Sequence, residues 1–348
     1  MRTTNRQGRQ IGVVEFVAGV LDKYGGNRPQ SEGTIMSHDL IVLYEHPEWQ
    51  KPLFSALDAQ GVRYGAFDLK KGCFDPDAIP EAQVYFNQAS PSAYKRDHTR
   101  AVPLALALMR SLEQRGARVL NGSSAFSLEL SKTFQAALMK SLEIEHPRTL
   151  AFNDVEVALD MWGDRWPALV KPDQGGSGAR MFLLHSPDEL VRLLDDSPEI
   201  WLPDNLLLMQ EYFETDPSKG IVPMEFLGGE LLYAMRVISS GTFNLCPSET
   251  CNPESGASLC KLPDAQTPPR FVLYEDIPRA AVETGKRLMK AAELSVGGIE
   301  YLEAQDGRLV FYDINANSNL RRLAGLEFDP FARVATFLAS QVALAAQS

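Results

Sequence analysis

The chain has 348 residues, too long for one ordinary domain, so two or three packed units are expected. Apolar residues make up 45% and charged residues 23%, and a net charge of −11 excludes a general nucleic-acid binder, which needs a basic face for phosphates. The longest uncharged apolar run of note, Ala101–Met109, falls far short of a bilayer span.

Residues 1–37 are polar and turn-rich and read as a poorly packed extension. Arg2, Arg6 and Arg9 precede an apolar stretch, Ile11–Leu21, which mimics a secretion signal. Glu15 interrupts it and no small-residue cleavage pattern follows. Four cysteines are too few for a disulfide scaffold, so a cytoplasmic location is expected.

From Asp39 the pattern alternates. Strand Leu40–Tyr44 precedes a helix over Glu48–Gln60, then strands Tyr64–Leu69 and Gln83–Phe86, helix Ala101–Arg115 and strand Val119–Leu120. That order implies a mostly parallel sheet ending at Asn121-Gly122. A helix Leu128–Glu143 opens a second unit, with strands near Arg148–Phe152, Ala168–Lys171 and Met181–Leu184 and a helix Pro187–Leu194. A third unit starts near Leu206: strand Leu206–Tyr212, hairpin Met224–Ile238, helix Ile277–Leu294, hairpin Ile299–Ile314 and a closing helix Pro330–Ala346.

The last hairpin carries chemistry. Asp306-Gly307 between apolar strands predicts a two-residue turn with both φ positive. That register sets Tyr301 against Tyr312, Glu300 against Asp313 and Gly298 against Asn315. Facing carboxylates repel, so the pair makes sense around a cation. With the Asn315 amide they form a hard oxygen set suited to Mg²⁺. The plain alternative is an exposed hairpin with one acid paired to a lysine.

Ala168–Lys171 reads as a buried strand ending on a lysine. It runs into Pro172-Asp173-Gln174-Gly175-Gly176-Ser177-Gly178, where glycines let backbone N–H groups approach phosphate oxygens. This is neither a P-loop nor a dinucleotide fingerprint. Leu206–Phe213 is an apolar strand ending in Gln210, Glu211, Tyr212 and Phe213, where backbone and Glu211 can meet an adenine edge.

In this order, the segments Lys171–Gly178, Gln210–Phe213 and Gly298–Asn319 resemble the ATP-grasp fold, in the branch holding glutathione synthetases and ribosomal-protein glutamate ligases. The resemblance covers about residues 39–340. It implies an α/β chain, α+β in its C-terminal part, with an N-terminal parallel-sheet domain and two nucleotide-clasping subdomains. The units are then 1–37, 38–122, 123–205 and 206–348. It implies ATP with Mg²⁺, or Mn²⁺ in its place. Lys132 in Leu130-Ser131-Lys132-Thr133 and Lys171 match the family's two lysines. Gly175, Gly176, Ser177 and Gly178 match its flexible loop, and Gln210–Phe213 its adenine hinge. Glu300, Asp313 and Asn315 match its metal ligands. The sequence departs at Gln88, where relatives carry arginine, and at Ile221–Glu225, which lacks the arginine many relatives have there.

The implied reaction joins a small-molecule carboxylate to an amine through an acyl phosphate. Arg236 is the candidate for stabilising transferred charge. Arg321, or its neighbour Arg322, is the candidate for binding a substrate carboxylate. Neither nucleic acid nor membrane is an expected partner, and homo-oligomerisation stays open. Two rivals remain: an ATP-grasp kinase acting on a hydroxyl, and a nucleotide-binding protein without turnover. Cys246, Cys251 and Cys260 fit no standard zinc module.

Overall fold

Strand β1 (His38–Tyr44) is apolar on both faces, as a central strand of a parallel sheet must be. In this computed structural model, which describes residues 38–175, 180–216, 219–238, 270–317 and 320–347, it lies between β2 (Tyr64–Asp68) and β3 (Ala82–Gln88), with β4 (Arg118–Leu120) outside β3. All three pairings are parallel. Ile41, Leu43 and Tyr85 face α2 (Ala101–Gln114). Leu40, Val42, Val84 and Phe86 face α1 (Pro47–Ala59) together with Val334, Ala335 and Leu338 of the last helix, α8 (Pro330–Ala345). The closing helix therefore covers the first sheet rather than completing the third unit. The expected extension 1–37 lies outside the described residues.

The single helix expected over 128–143 is two, α3 (Ser123–Glu129) and α4 (Lys132–Ser141). Ser131 breaks them: it is extended, and its Oγ accepts the Phe134 N–H at 3.0 Å as the N-cap of α4. The second sheet is antiparallel, ordered β5 (Thr149–Phe152), β8 (Leu207–Glu211), β6 (Ala168–Pro172), β7 (Phe182–Leu184). The boundary expected at residue 206 is corrected accordingly, because β8 pairs on both sides within this sheet. Two helices cover the sheet. α6 (Pro187–Asp196) was expected; α5 (Val155–Trp162), capped by Asp154, adds Ala158 and Trp162 to the core. Its eight residues are too short for a clear helical period.

The third sheet is antiparallel, ordered β11 (Arg270–Leu273), β10 (Glu230–Ile238), β9 (Ile221–Leu227), β12 (Val296–Glu303), β13 (Leu309–Asn315). Gly228 and Gly229, both at positive φ, make the two-residue turn from β9 to β10. One face buries Met224, Phe226, Ile299 and Ile314 under Leu288 and Met289 of α7 (Arg279–Ala291) and under Leu128 and Met139. Strand alternation sends Glu225, Glu300, Asp313 and Asn315 to the other face.

Asn121 ties the first sheet to the third. It sits in the left-handed region at φ 52 and is almost fully buried. Its Nδ2 donates to Val296 O at 2.6 Å and Ala316 O at 2.7 Å, and its Oδ1 accepts from Ser295 N at 2.9 Å. Those contacts fix the start of β12 and the end of β13. Among the described residues, no helix is long and apolar enough to cross a membrane.

Candidate active site

The hairpin β12–β13 departs from the expected turn and still delivers the expected pair. Only Gly307 has positive φ, +85. Ala304 N donates to Arg308 O and Gly307 N to Ala304 O, both at 2.9 Å. That is a three-residue loop ending in a left-handed glycine. Tyr301 consequently faces Phe311, not Tyr312, and Leu302 faces Val310. The pairing shifts by one residue between Glu300 and Tyr301, with Tyr312 as the extra residue, and beyond it Glu300 faces Asp313 and Gly298 faces Asn315. Two departures of one residue cancel.

The bulge has a chemical consequence. Phe311 and Ile314 point into the core, so Tyr312 and Asp313 both lie on the open face. Tyr312 Oη donates to Glu300 Oε2 at 2.8 Å, and Asn315 Nδ2 approaches Glu300 Oε1 at 3.4 Å. Burial, then the facing Asp313 charge, push the Glu300 carboxyl above its usual range; the Tyr312 hydrogen bond and the two lysines oppose this.

Both lysines converge here. Lys132, the first residue of α4, is almost buried. Its Nζ donates to Asp313 Oδ1 and to Gln135 Oε1, the latter at 3.3 Å. Gln135 holds the edge of β13: Oε1 accepts Ile314 N at 3.0 Å, and Nε2 donates to Ile314 O at 2.9 Å. The plain alternative for the hairpin is therefore half right. Asp313 is paired to a lysine, but that lysine comes from another unit and faces a second carboxylate. Lys171, on β6, donates to Gln210 Oε1 at 2.9 Å, and Gln210 Nε2 in turn donates to Thr149 Oγ1 at 3.0 Å. Burial, then the neighbouring Lys132 charge, pull the Lys171 ammonium down to about 8.

The loop after β6 is anchored at its base. Asp173 Oδ1 accepts Thr133 N at 2.7 Å, and Gln174 Nε2 reaches Pro91 O at 3.1 Å. Gly175 is described; Gly176, Ser177 and Gly178 lie outside the described residues, as do Cys246, Cys251 and Cys260. Of the hinge residues, Gln210 is occupied by Lys171. Glu211 is exposed and accepts Arg148 N at 3.1 Å, and Tyr212 and Phe213 follow half-buried.

Arg236 is not brought to this cluster. It lies on the core side of the third sheet, on the face that carries Tyr301. There Nη2 donates to Glu303 Oε1 at 2.9 Å, and the guanidinium stacks on Tyr274 at 3.9 Å. The sheet separates it from Glu300 and Asp313, so the structure does not bring Arg236 together with the carboxylate pair. Arg321 is on the correct side. Its backbone N donates to Tyr233 Oη at 2.8 Å, and its guanidinium stacks on Phe271 at 3.9 Å. Arg322 turns away to Asp329 at 2.7 Å.

Several polar residues of the site carry no motif signal. Glu129 is buried, and its Oε1 accepts Asn317 N at 3.0 Å while Oε2 has no partner. Burial raises it to about 8. Glu225 is buried beside Gly298, with Oε2 likewise unpartnered. Burial first, then the Glu300 charge, raise it to about 8. Alternation puts Glu225 on the open face of its strand and Glu129 closes a short helix, so no local pattern marks either as buried.

A cavity of ≈ 280 Å³ opens beside the cluster, between α1, the end of β3, the start of β12 and α8. Leu53, Phe86, Val296 and Phe331 form its apolar floor; Gln50, Gln88, Asn317 and Arg321 supply polar groups. Among the described residues, no three His, Cys, Asp or Glu side chains form a ready metal cluster. The candidate set is two carboxylates and an amide.

No family model and no curated protein matches the chain. Solved structures do. An ATP-grasp ligase, PsnB, complexed with minimal precursor is 18% identical, with a TM-score of 0.62, covering 88% of this chain and 100% of its own. A RimK domain protein ATP-grasp from Sphaerobacter thermophilus is 14% identical at a TM-score of 0.58, over 87% of this chain and 97% of its own. D-alanyl-alanine synthetase A from Vibrio cholerae is 13% identical at 0.61, over 90% and 100%.

Proposed function

We propose that this chain, whose fold is that of the ATP-grasp enzymes, is an ATP-dependent ligase that joins a carboxylate to an amine through an acyl phosphate. The observation that carries the reading is the convergence of Lys132 and Lys171, from two different units, on the facing pair Glu300 and Asp313. Ammonium groups beside paired carboxylates, in a partly buried cleft, suit a polyphosphate held by lysines on one side and a divalent cation on the other.

The donor set fits Mg²⁺. Glu300, Asp313 and Asn315 offer hard oxygens on one face. Facing carboxylates with a raised Glu300 are what a cation would relieve. When bound, Mg²⁺ would offset phosphate charge. The chain's own residues do the rest. Lys132 and Lys171 orient the phosphates, Gln135 and Asn121 fix the strand that carries the carboxylates, and Tyr312 holds the Glu300 rotamer. A substrate carboxylate then attacks the γ-phosphorus of ATP, breaking its bond to the bridging oxygen and releasing ADP, and a neutral amine attacks the acyl phosphate, losing a proton as phosphate leaves. PsnB has been solved with minimal precursor, Mg and ADP, and D-alanyl-alanine synthetase A is named for a dipeptide product. Both support a peptide or amino-acid substrate here.

The test is a thermal melt with and without Mg-ATP, followed by a pairwise screen of carboxylates and amines for ADP release. Nucleotide at about 100 times its dissociation constant adds about 2.7 kcal/mol. No shift at millimolar Mg-ATP removes the reading. Release of ADP with a hydroxyl compound and no amine replaces it with the kinase.

A further inference from the structure

Glu225, Gly298 and Asn315 stand side by side on β9, β12 and β13, in the row next to Glu300 and Asp313. Glu225 is 3% exposed, and its Oε2 has no hydrogen-bond partner. A Cβ on Gly298 would touch that oxygen at 3.4 Å, so the glycine keeps a side chain off the carboxyl on that side. An ionised carboxylate buried there with no partner on Oε2 is costly. Such a group makes physical sense when a cation visits it.

Two further features lie within one small molecule's reach. Arg321 is the protein cation that acts on Glu225, through space rather than by a bond to Oε2. Arg321 also forms part of the cavity wall. The cavity floor begins at Val296, two residues before Gly298 on the same face, which is about 7 Å along the strand. Gln50, also in the cavity wall, is 2% exposed. An anion-seeking group, a cation-seeking group and an apolar recess are thus set around one point beside the phosphate site.

We propose that Glu225 and Arg321 select a free α-amino acid with a large apolar side chain as the amine substrate. Glu225 receives the ammonium, Arg321 receives the carboxylate that does not react, and the side chain fills the cavity over Leu53, Phe86, Val296 and Phe331. This rests on the ligase reading and narrows it: a small or acidic acceptor leaves the recess empty or buries a charge on an apolar floor.

The experiment is calorimetric titration of the full chain, with and without Mg²⁺ and a non-hydrolysable ATP analogue. The ligands are leucine, phenylalanine, glycine, aspartate, N-acetylleucine and leucinol. Leucine or phenylalanine is expected to bind at least tenfold more tightly than glycine or aspartate. Removing the ammonium charge, as in N-acetylleucine, or the carboxylate, as in leucinol, is expected to lose tenfold or more. Glu225→Gln is expected to weaken leucine at least tenfold while nucleotide affinity stays within twofold. Equal binding of N-acetylleucine, a preference for aspartate, or a Glu225→Gln protein that binds leucine like the wild type each overturns the proposal. Should that variant not fold, the analogue series on the wild type decides. Failure of the nucleotide titration alone sinks the ligase reading, and the amino-acid titrations without nucleotide still judge Glu225.

Discussion

Lys132 and Asp313 stand 181 residues apart in the chain and meet as an ion pair in the cleft, Nζ donating to Oδ1. Both are largely buried, and Glu300 faces the same aspartate. Without ligand, the lysine is the cation that makes two facing carboxylates tolerable. Lys132→Met is therefore expected to cost about 2–3 kcal/mol, the scale of a charged hydrogen bond. Mg²⁺ is expected to return more stability to that variant than to the wild type, because a divalent ion replaces the missing charge. Equal Mg²⁺ shifts in melting temperature for the two proteins would show that no cation site lies there.

Asp313→Asn is expected to abolish nucleotide-dependent stabilisation and turnover, since it removes one carboxylate from the candidate metal set. From the hairpin alone, relief of like-charge repulsion predicts an unharmed fold. The ion pair to Lys132 changes that sign: neutralising Asp313 strands a mostly buried lysine, so the ligand-free protein should melt lower. A variant that melts lower yet releases ADP at the wild-type rate argues for a purely structural pair.

Arg236→Ala is expected to behave in the opposite way. Its partners Glu303 and Tyr274 lie behind the sheet, away from the carboxylates. Loss of a partly buried pair should cost about 1–3 kcal/mol while ADP release stays within about twofold. A hundredfold loss of turnover with unchanged stability would return Arg236 to the chemistry.

These contrasts mark how far the sequence is legible. Period-two and period-3.6 patterns locate the strands and most helices because the covered face of each element is apolar. The Glu300–Asp313 pairing is read correctly through two offsetting departures, a longer turn at Gly307 and a bulge at Tyr312, neither of which apolar alternation reveals. The placement of Arg236 behind the sheet is not legible because a motif gives position along a strand, and a face follows only from which neighbours are buried. Gln135 and Asn121, which hold β13 and β12 in place, act on backbone groups distant in sequence and leave no local pattern.

Stability without ligand is expected to fall as pH rises through neutrality. Glu129 and Glu225 are each raised to about 8, chiefly by burial. A carboxyl with a folded value above its unfolded value binds its proton more tightly in the folded state. Its contribution is fully present below about 4.5 and is lost as pH climbs through about 8. Melting temperature should therefore decline over that window, and Glu225→Gln should flatten part of the decline. A flat profile in both proteins would mean that these carboxyls are solvated.

Tyr312→Phe isolates what the bulge contributes. The bulge aims the Tyr312 hydroxyl at Glu300 Oε2, and that hydrogen bond favours the ionised carboxylate against burial and the Asp313 charge. Losing it should push Glu300 further up, so that a metal must displace a more tightly held proton. Apparent Mg²⁺ affinity is then expected to drop several-fold near pH 7 and to recover as pH rises toward 9, where the carboxyl is ionised in either protein. The core should be untouched, because Phe311 and Ile314 carry the packing on the other face and the ring of residue 312 is kept. Calorimetric Mg-ADP titration at pH 7 and pH 9 on both proteins reads the effect. A Mg²⁺ affinity that is lowered equally at both pH values would mean that Tyr312 shapes the site sterically, without acting through the Glu300 proton.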